Sequence, residues 1–285
     1  ESSISYIKWD MNRCITECYS ASLPAYRQGE VFHRYILGVY DLYERLIKKY
    51  PHILFESCAS GGGRFDAGMM YYAPQCWTSD DSDAIERIKI QYGTSFAYPI
   101  SSMGAHVSIT PNHQLFRNAP LETRGNVAYF GAFGYELDLT KLSEEEHELI
   151  RRQVEFVKEY RDVIQKGTFF RLQSPFENNI SAWMIVSEDK KTAIVAYFKV
   201  LNDVNCAFRR MKLHGLDKNL LYSVKGTSSS AKIDINKDTN NLYYGSELMN
   251  LGLITTDPSA GQVIDGSETC TDYWSKIYVL KAEDK

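Results

Sequence analysis

Short apolar runs alternate with longer amphipathic segments along the first half of the chain. The apolar runs predict strands, at 3–10, 52–58, 75–80, 99–108 and 126–137. The amphipathic segments predict helices, at 30–50, 65–72 and 84–92, with a last one that opens at a Ser143–Glu146 capping box and runs to Tyr160. Strands that alternate with helices are typical of a parallel sheet covered by helices.

The pattern changes near residue 166. Beyond it, apolar and polar residues alternate with a period of two, and turn signals separate the segments, at 178–179, 188–190, 214–215 and 227–230. The chain therefore divides into two predicted domains, an incomplete α/β barrel over 1–166 and a small antiparallel β-sandwich over 167–285. The predicted fold class is α/β plus all-β.

The composition is that of an ordinary globular protein and argues against several kinds of partner. The chain has 285 residues, 44% of them hydrophobic and 24% charged, with a net charge of −4. Without a basic run, nucleic acid is not an expected partner. No apolar stretch approaches the ~18 to 20 residues that span a bilayer, and the first residues lack the features of a signal peptide. We therefore expect no membrane association and no export.

Six cysteines are dispersed along the chain, at 14, 18, 58, 76, 206 and 270. Their spacing does not resemble a disulfide framework, which favours a reducing compartment and hence the cytoplasm. Cys14 and Cys18 could hold a metal with His33 or His52, but structural zinc sites are usually built from four clustered ligands. We expect no metal site and no cofactor.

The chain begins in the strand that ends at Asp10, with no strand–helix unit before it. An unclosed parallel sheet exposes the hydrogen-bonding groups of its edges. We therefore expect a fragment of a longer enzyme, or a protein that covers these edges by oligomerising or rearranging.

Two acidic motifs follow predicted strands. The first, KWDMNR at 8–13, puts Asp10 where a strand gives way to a loop, and the second, WTSDDSDA at 77–84, does the same for Asp80. The carboxyl ends of parallel strands lie on one side of a barrel and carry its chemistry. Two carboxylates at one mouth suggest paired acid and nucleophile roles.

Each carboxylate also has a structural interpretation. Asp10 could cap a loop, and Asp80 could be the N-cap of the helix that starts near Ala84, because Ser and Asp are common at helix starts. Asp81 and Asp83 are expected to be caps or supports and not catalysts.

Together with ESCASGGGRFD at 56–66, these motifs resemble the catalytic half of α-galactosidases of glycoside hydrolase family 36. The similarity continues through IQYGTS at 90–95, GAHVS at 104–108 and YGSELMN at 244–250. It implies strands four to eight of a (β/α)8 TIM barrel, followed by the family's C-terminal β domain.

The resemblance implies a retaining hydrolase without a cofactor. Asp10 would be the nucleophile, and Asp80 would protonate the leaving oxygen and then activate water. A retaining pair has its carboxyl groups ~5 to 5.5 Å apart. Lys8, on the same strand face as Asp10, would place positive charge beside it.

The same resemblance implies the substrate and its contacts. Terminal α-linked galactose would be removed from oligosaccharides such as raffinose or melibiose. The implied substrate-binding residues are Lys8, Trp9, Asn12, Cys58, Ser60 and Gly61. A homo-oligomer, a tetramer by analogy, is also implied. Two alternatives stay open: a relative that transfers galactose to a sugar hydroxyl, and a carbohydrate-binding fragment without turnover.

Overall fold

The computed structural model describes residues 3–12, 16–201, 209–227, 242–255 and 272–283. The chain forms two compact units, one made of Glu1–Asp80 with Ser102–Gly104 and the other of Asp81–Ser101 with Ala105–Lys285. Cys14, Cys206, Cys270 and residues 228–230 of the predicted loop at 227–230 lie outside the described residues. The predicted domain boundary at residue 166 stays a prediction.

The first unit contains a parallel three-stranded sheet with the order β1-β2-β3. Its elements are β1 Tyr6–Asp10, a 3-10 turn Ala25–Glu30, α1 Val31–Lys49, β2 Leu54–Cys58, α2 Ala67–Tyr72 and β3 Gln75–Cys76. Each of these strands and helices overlaps its prediction, although β3 is only two residues long. The predicted parallel pairing is confirmed for these three strands.

One face of this sheet packs against the two helices. Buried Val39 and Tyr43 of α1, Phe55 of β2 and Met69 of α2 form the centre of an apolar cluster, and Ile7 and Trp9 of β1 pack against it. Because successive strand residues point to opposite faces, Lys8 and Asp10 project from the other face.

The second unit begins with helices and a strand pair. Its elements to residue 166 are α3 Ala84–Thr94, β4 Gly104–Ser108, α4 Leu121–Ala128, β5 Ala132–Glu136 and α5 Glu144–Lys166, and 3-10 turns lie at Ile100–Ser102 and Leu139–Lys141. Strand β4 pairs with β5. The predicted strand at 126–137 is therefore half wrong, because its first residues end helix α4. Seven of the eight α4 residues are buried, so this helix lacks the amphipathic pattern that reveals a surface helix.

The rest of the second unit is dominated by antiparallel strands. They are β6 Thr168–Gln173, β7 Ile180–Val186, β8 Thr192–Lys199, β9 Arg209–Met211, β10 Leu221–Thr227, β11 Leu242–Tyr244, β12 Leu253–Thr255 and β13 Trp274–Ala282, with helix α6 at Gly245–Asn250. Six strands form one sheet in the order β11-β10-β13-β8-β7-β6, and β9 pairs with β12. Both sheets contribute side chains to one buried apolar cluster. The antiparallel pairing of the strands confirms the predicted antiparallel sheet.

The predicted start of helix α5 is defined by its cap. Ser143 accepts a hydrogen bond from the backbone of Glu146, whose side chain accepts one from the backbone of Ser143, which confirms the capping box. Helix α5 continues to Lys166, beyond the predicted end at Tyr160. No helix in the described ranges is long and apolar enough to cross a membrane.

Removing the α5 cap should destabilise the second unit measurably. We expect Ser143→Ala to lower the free energy of unfolding by about 1 kcal/mol, because the backbone N–H of Glu146 loses its acceptor. Urea denaturation gives the free energy of unfolding of the native chain, of Ser143→Ala, of Glu146→Ala and of the double variant. Together the four values measure the coupling between Ser143 and Glu146. Native stability in Ser143→Ala would contradict the role of the capping box.

Candidate active site

The face of the sheet opposite the helices gathers the candidate residues of the first unit. In the parallel register Lys8 pairs with Glu56 and Asp10 with Cys58. Trp77 follows β3, and its backbone N–H donates to the Ser57 carbonyl at 2.9 Å. The Lys8 Nζ lies 4.8 Å from the centroid of the buried Trp77 ring. The carboxyl ends of three neighbouring strands therefore meet around Asp10.

The Asp10 carboxylate is exposed and accepts a hydrogen bond from a neutral donor. Asn12 Nδ2 donates to Asp10 Oδ2 at 3.2 Å. Burial, reinforced by the neighbouring Asp10 carboxylate, raises the pKa of Cys58 to about 11. Cys58 is therefore a protonated thiol at neutral pH and lacks the thiolate character of a nucleophile.

Trp9 does not join this group. Its ring packs against Tyr43, with centroids 5.0 Å apart, and against Phe55 at 6.4 Å. Trp9 lies between Lys8 and Asp10 in a strand, so its side chain must point to the opposite face. The structure places the indole in the apolar cluster behind the sheet, although the resemblance implies a contact with sugar.

The glycine-rich loop after β2, residues 59–63, packs directly against the main chain of residues 78–80. A Cβ on Gly61 would come within 2.5 Å of Ser79 Cα and 2.9 Å of Asp80 N, and one on Gly62 within 2.9 Å of the Thr78 carbonyl oxygen. Gly61 also has a φ of +75°, which L residues rarely adopt. The loop can approach this closely only because these positions lack side chains.

A continuous set of contacts connects Asp10 with this loop. The Ser60 N–H donates to Asn12 Oδ1 at 2.8 Å, so both ends of the Asn12 amide are used. Asp10, Asn12 and Ser60 are thus hydrogen-bonded in sequence, and Gly61 continues the path to the main chain of Asp80. Asp10 is thus connected by hydrogen bonds to the loop that packs on the main chain of Asp80, whose side chain is exposed.

Arg64 joins the loops that follow β1 and β2. Its buried guanidinium donates to the Met11 carbonyl at 2.7 Å and to the Cys58 carbonyl at 2.8 Å. These carbonyls belong to the ends of β1 and β2. Hydrogen bonds from one charged group to both fix the separation of the strand ends.

Further groups deeper on the same face were missed by sequence reasoning. Buried Glu56 accepts hydrogen bonds from the Tyr6 hydroxyl and from Gln75 Nε2, the latter at 3.0 Å. Burial first, and then the contact with Glu56, raise the pKa of Tyr6. The signal was available, because Tyr6, Lys8 and Asp10 are spaced by two and must share a strand face.

The acidic residues after Asp80 have structural roles, as expected. In the second unit Asp83 is the N-cap of α3, where its carboxylate accepts from Ile85 N at 3.0 Å and Glu86 N at 3.1 Å. Asp83 also forms an ion pair with Arg117. Since Asp83 fills the cap position, the alternative role of Asp80 as this N-cap is wrong.

Metal ligands are not clustered in the described part of the chain, where no three His, Cys, Asp or Glu side chains are arranged to hold an ion. Cys18, Cys58 and Cys76 are free thiols.

Two family profiles match successive parts of the chain. The profile described as Melibiase matches residues 1–167. The profile described as the glycosyl hydrolase family 36 C-terminal domain matches residues 180–280.

Individual relatives are similar over most of this chain. Alpha-galactosidase AgaA of Geobacillus stearothermophilus is 53% identical over 250 residues, which cover 88% of this chain and 32% of AgaA. Alpha-galactosidase 1 of Pediococcus pentosaceus is 48% identical over 279 residues, which cover 98% of this chain and 35% of the relative. The chain thus spans about a third of the length of these relatives.

Solved structures agree with this similarity. The α-galactosidase of Lactobacillus brevis superposes with a TM-score of 0.88 at 48% identity, covering 99% of this chain and 36% of that one. A variant of AgaA in complex with raffinose superposes with a TM-score of 0.86 at 48% identity, covering 98% of this chain and 36% of the AgaA chain.

Adding a methyl group at Gly61 should disrupt the contact with the Asp80 segment. We expect Gly61→Ala to lower the free energy of unfolding of the first unit by about 1–3 kcal/mol, because the new Cβ meets backbone and φ is positive. Urea denaturation measures the change. Gly38→Ala is the matched control: no atom lies within 4 Å of the added Cβ, and alanine favours a helix. Equal stability of the native chain and Gly61→Ala would contradict the close approach.

Proposed function

The chain belongs to the Melibiase family of glycosyl hydrolases, and from this we propose that it carries the carboxylate pair of a retaining α-galactosidase. The observation that carries the proposal is the network that joins Asp10, through Asn12 and Ser60, to the loop packed on Asp80. Both carboxylates are exposed, and the amide of Asn12 lies beside Asp10.

The proposed reaction has two steps. In the first, an Asp10 oxygen bonds to the anomeric carbon while the glycosidic bond breaks, and Asp80 gives its proton to the leaving oxygen. In the second, Asp80 takes a proton from water, the water oxygen bonds to the anomeric carbon, and the ester to Asp10 breaks. Two inversions leave the configuration retained. The carboxylates perform both proton transfer and covalent catalysis, so no cofactor is required.

The neighbours of Asp10 suit the nucleophile role. Asn12 donates to the Asp10 carboxylate, which restrains its orientation. The Lys8 ammonium, held over Trp77, adds positive charge on the same strand face. We propose that Lys8, Asn12, Cys58 and Ser60 contact the sugar, that Gly61 positions Asp80, and that Trp9 supports the strand from behind.

The same proposal extends to the fold. Strands β1 to β5 would be strands four to eight of a (β/α)8 TIM barrel, and 167–285 would be a β-sandwich. The profile matches end at 167 and resume at 180, and α5 ends at Lys166, which supports a boundary there. By analogy with the family, the protein would be a homo-oligomer, a tetramer, and the dispersed cysteines favour the cytoplasm.

The proposed substrates are terminal α-galactosides of the raffinose and melibiose type. Support comes from the relative AgaA, a variant of which was solved with raffinose. A second candidate is sugar binding without turnover, which the chain's span of about a third of its relatives favours for the chain alone. A sugar pocket that lacks part of its lining is less complementary to the transition state than a complete one.

Azide rescue of the carboxylate variants would test the two roles. The full 285-residue chain is assayed alone and as a chimera in which it replaces its matched segment of AgaA, with 4-nitrophenyl α-galactoside as substrate. We expect Asp10→Ala and Asp80→Ala each to lower kcat at least ~100-fold, in line with general acid–base contributions of about 10²–10⁴-fold. In Asp10→Ala, azide should bond to the anomeric carbon as nitrophenolate leaves, giving β-galactosyl azide. In Asp80→Ala, nitrophenolate leaves as the ester to Asp10 forms, and azide then breaks that ester, giving α-galactosyl azide.

Asp41→Asn provides the control, because Asp41 is an exposed carboxylate paired with Arg45 on α1. It should retain native turnover. Turnover only in the chimera would indicate that the chain alone binds without completing the pocket. Full activity of Asp10→Ala, or the same azide anomer from both variants, would refute the assignment.

A further inference from the structure

Ser82 follows the proposed acid/base Asp80 by two residues, and each of its polar atoms is hydrogen-bonded. The Ser108 hydroxyl, at the end of β4, donates to the Ser82 carbonyl at 2.7 Å. In the loop between β4 and α4, Asn112 Nδ2 donates to the Ser82 hydroxyl oxygen at 3.3 Å, and Gln114 Oε1 accepts from the Ser82 N–H at 3.1 Å. Ser82 is 3% exposed. This buried residue is therefore held entirely by side chains of β4 and of the loop that follows it.

The partners of Ser82 are themselves fixed. Asn112 is buried, and its Oδ1 accepts from two backbone N–H groups of its own loop, at 2.9 and 3.1 Å. The Ser108 carbonyl accepts from the buried Arg124 guanidinium at 2.5 Å, which ties the end of β4 to helix α4. Buried polar networks whose members are all hydrogen-bonded are rigid. Asn112 and Ser108 therefore hold Ser82 in one place.

The main chain at Asp80 is restrained on both sides along the sequence. Before it, Ser79 lies so close to Gly61 that a Cβ on the glycine would come within 2.5 Å of Ser79 Cα. After it, Ser82 is held as described above, and Asp83 caps α3. The Asp80 side chain itself is exposed. The direction of its carboxylate therefore depends on the main chain that carries it.

The position of a general acid matters only for substrates that need its proton. The acid must lie within hydrogen-bond distance of the leaving oxygen, and a misplacement of about 1 Å can cost about 100-fold in rate. A sugar leaving group must be protonated as it departs, whereas dinitrophenolate leaves as a stable anion. A displaced acid therefore slows the cleavage of a disaccharide and spares that of a dinitrophenyl glycoside.

We propose, on the basis of the proposed function, that Ser82 is a positioning residue through which the loop after β4 sets the direction of the Asp80 carboxylate. The loop acts on protonation of the leaving oxygen and not on the nucleophile Asp10. Cleavage of galactosides with a sugar leaving group then depends on Ser82, and cleavage of activated aryl galactosides does not.

Two conservative variants loosen Ser82 without changing either carboxylate. Ser82→Ala removes the oxygen that Asn112 contacts, and Gln114→Met removes the acceptor of the Ser82 N–H at an exposed position. Asn178→Leu is the matched control, because Asn178 is also exposed and its Oδ1 accepts from the Ile180 N–H at 2.8 Å. Each is made in the full chain and in the AgaA chimera, and kcat/KM is measured for melibiose and for 2,4-dinitrophenyl α-galactoside.

The ratio of kcat/KM for melibiose to kcat/KM for the dinitrophenyl substrate is the decisive readout. These values report the first step of the reaction, in which Asp80 gives up its proton. We expect Ser82→Ala and Gln114→Met each to lower the ratio about tenfold, which is part of the ~10²–10⁴-fold that general acid catalysis supplies. Asn178→Leu should keep the native ratio.

Two kinds of result would count against the proposal in different ways. Equal losses of kcat/KM for both substrates, or native ratios in Ser82→Ala and Gln114→Met, would overturn the positioning role of Ser82 and leave the proposed function standing. Absence of turnover of both substrates by the native sequence, in the chain and in the chimera, would refute the proposed function itself.

Discussion

The parallel register of β1, β2 and β3 is the constraint on which the whole site depends. It pairs Asp10 with Cys58 and places Trp77 beside them at the carboxyl ends of the strands. A slip of one residue would turn Asp10 toward the helices and Trp9 toward the site, because side chains alternate between faces. The apolar cluster that holds Trp9 against Tyr43 therefore also fixes the direction of Asp10.

Close main-chain packing is the second requirement. Gly61 and Gly62 let the loop after β2 lie directly on the segment that carries Asp80, and the Arg64 guanidinium ties the ends of β1 and β2 together. Catalysis by two carboxylates needs a fixed separation between them. Backbone contacts are suited to this, because they do not depend on the rotamers of long side chains.

Much of this arrangement could be predicted from the sequence. The period-two and helical patterns located β1, α1 and α2, because each buries only one face. Strand β2, which is buried on both faces, was located as a short apolar run. The capping box of α5 could be predicted because its two hydrogen bonds join residues only three positions apart in the sequence. Helix α4 was not recognised, since burial of nearly all its residues removes the amphipathic signal.

The details of the site were harder to predict, for physical reasons. The alternation of strand side chains already places Trp9 opposite Asp10, but the family resemblance implied a contact with sugar. The partners of Arg64 are backbone carbonyls distant in sequence, so no spacing reveals them. The family resemblance implied a contact of Gly61 with substrate, and the structure shows its close approach to the main chain of Asp80.

The central claim is that Asp10 and Asp80 act as a retaining pair. The most direct test is the stereochemistry of the first product, followed by proton NMR during rapid hydrolysis of 4-nitrophenyl α-galactoside by the AgaA chimera. We predict that α-galactose appears first and the β anomer grows in later by mutarotation. Initial release of β-galactose would show a single inversion and would contradict a covalent intermediate on Asp10.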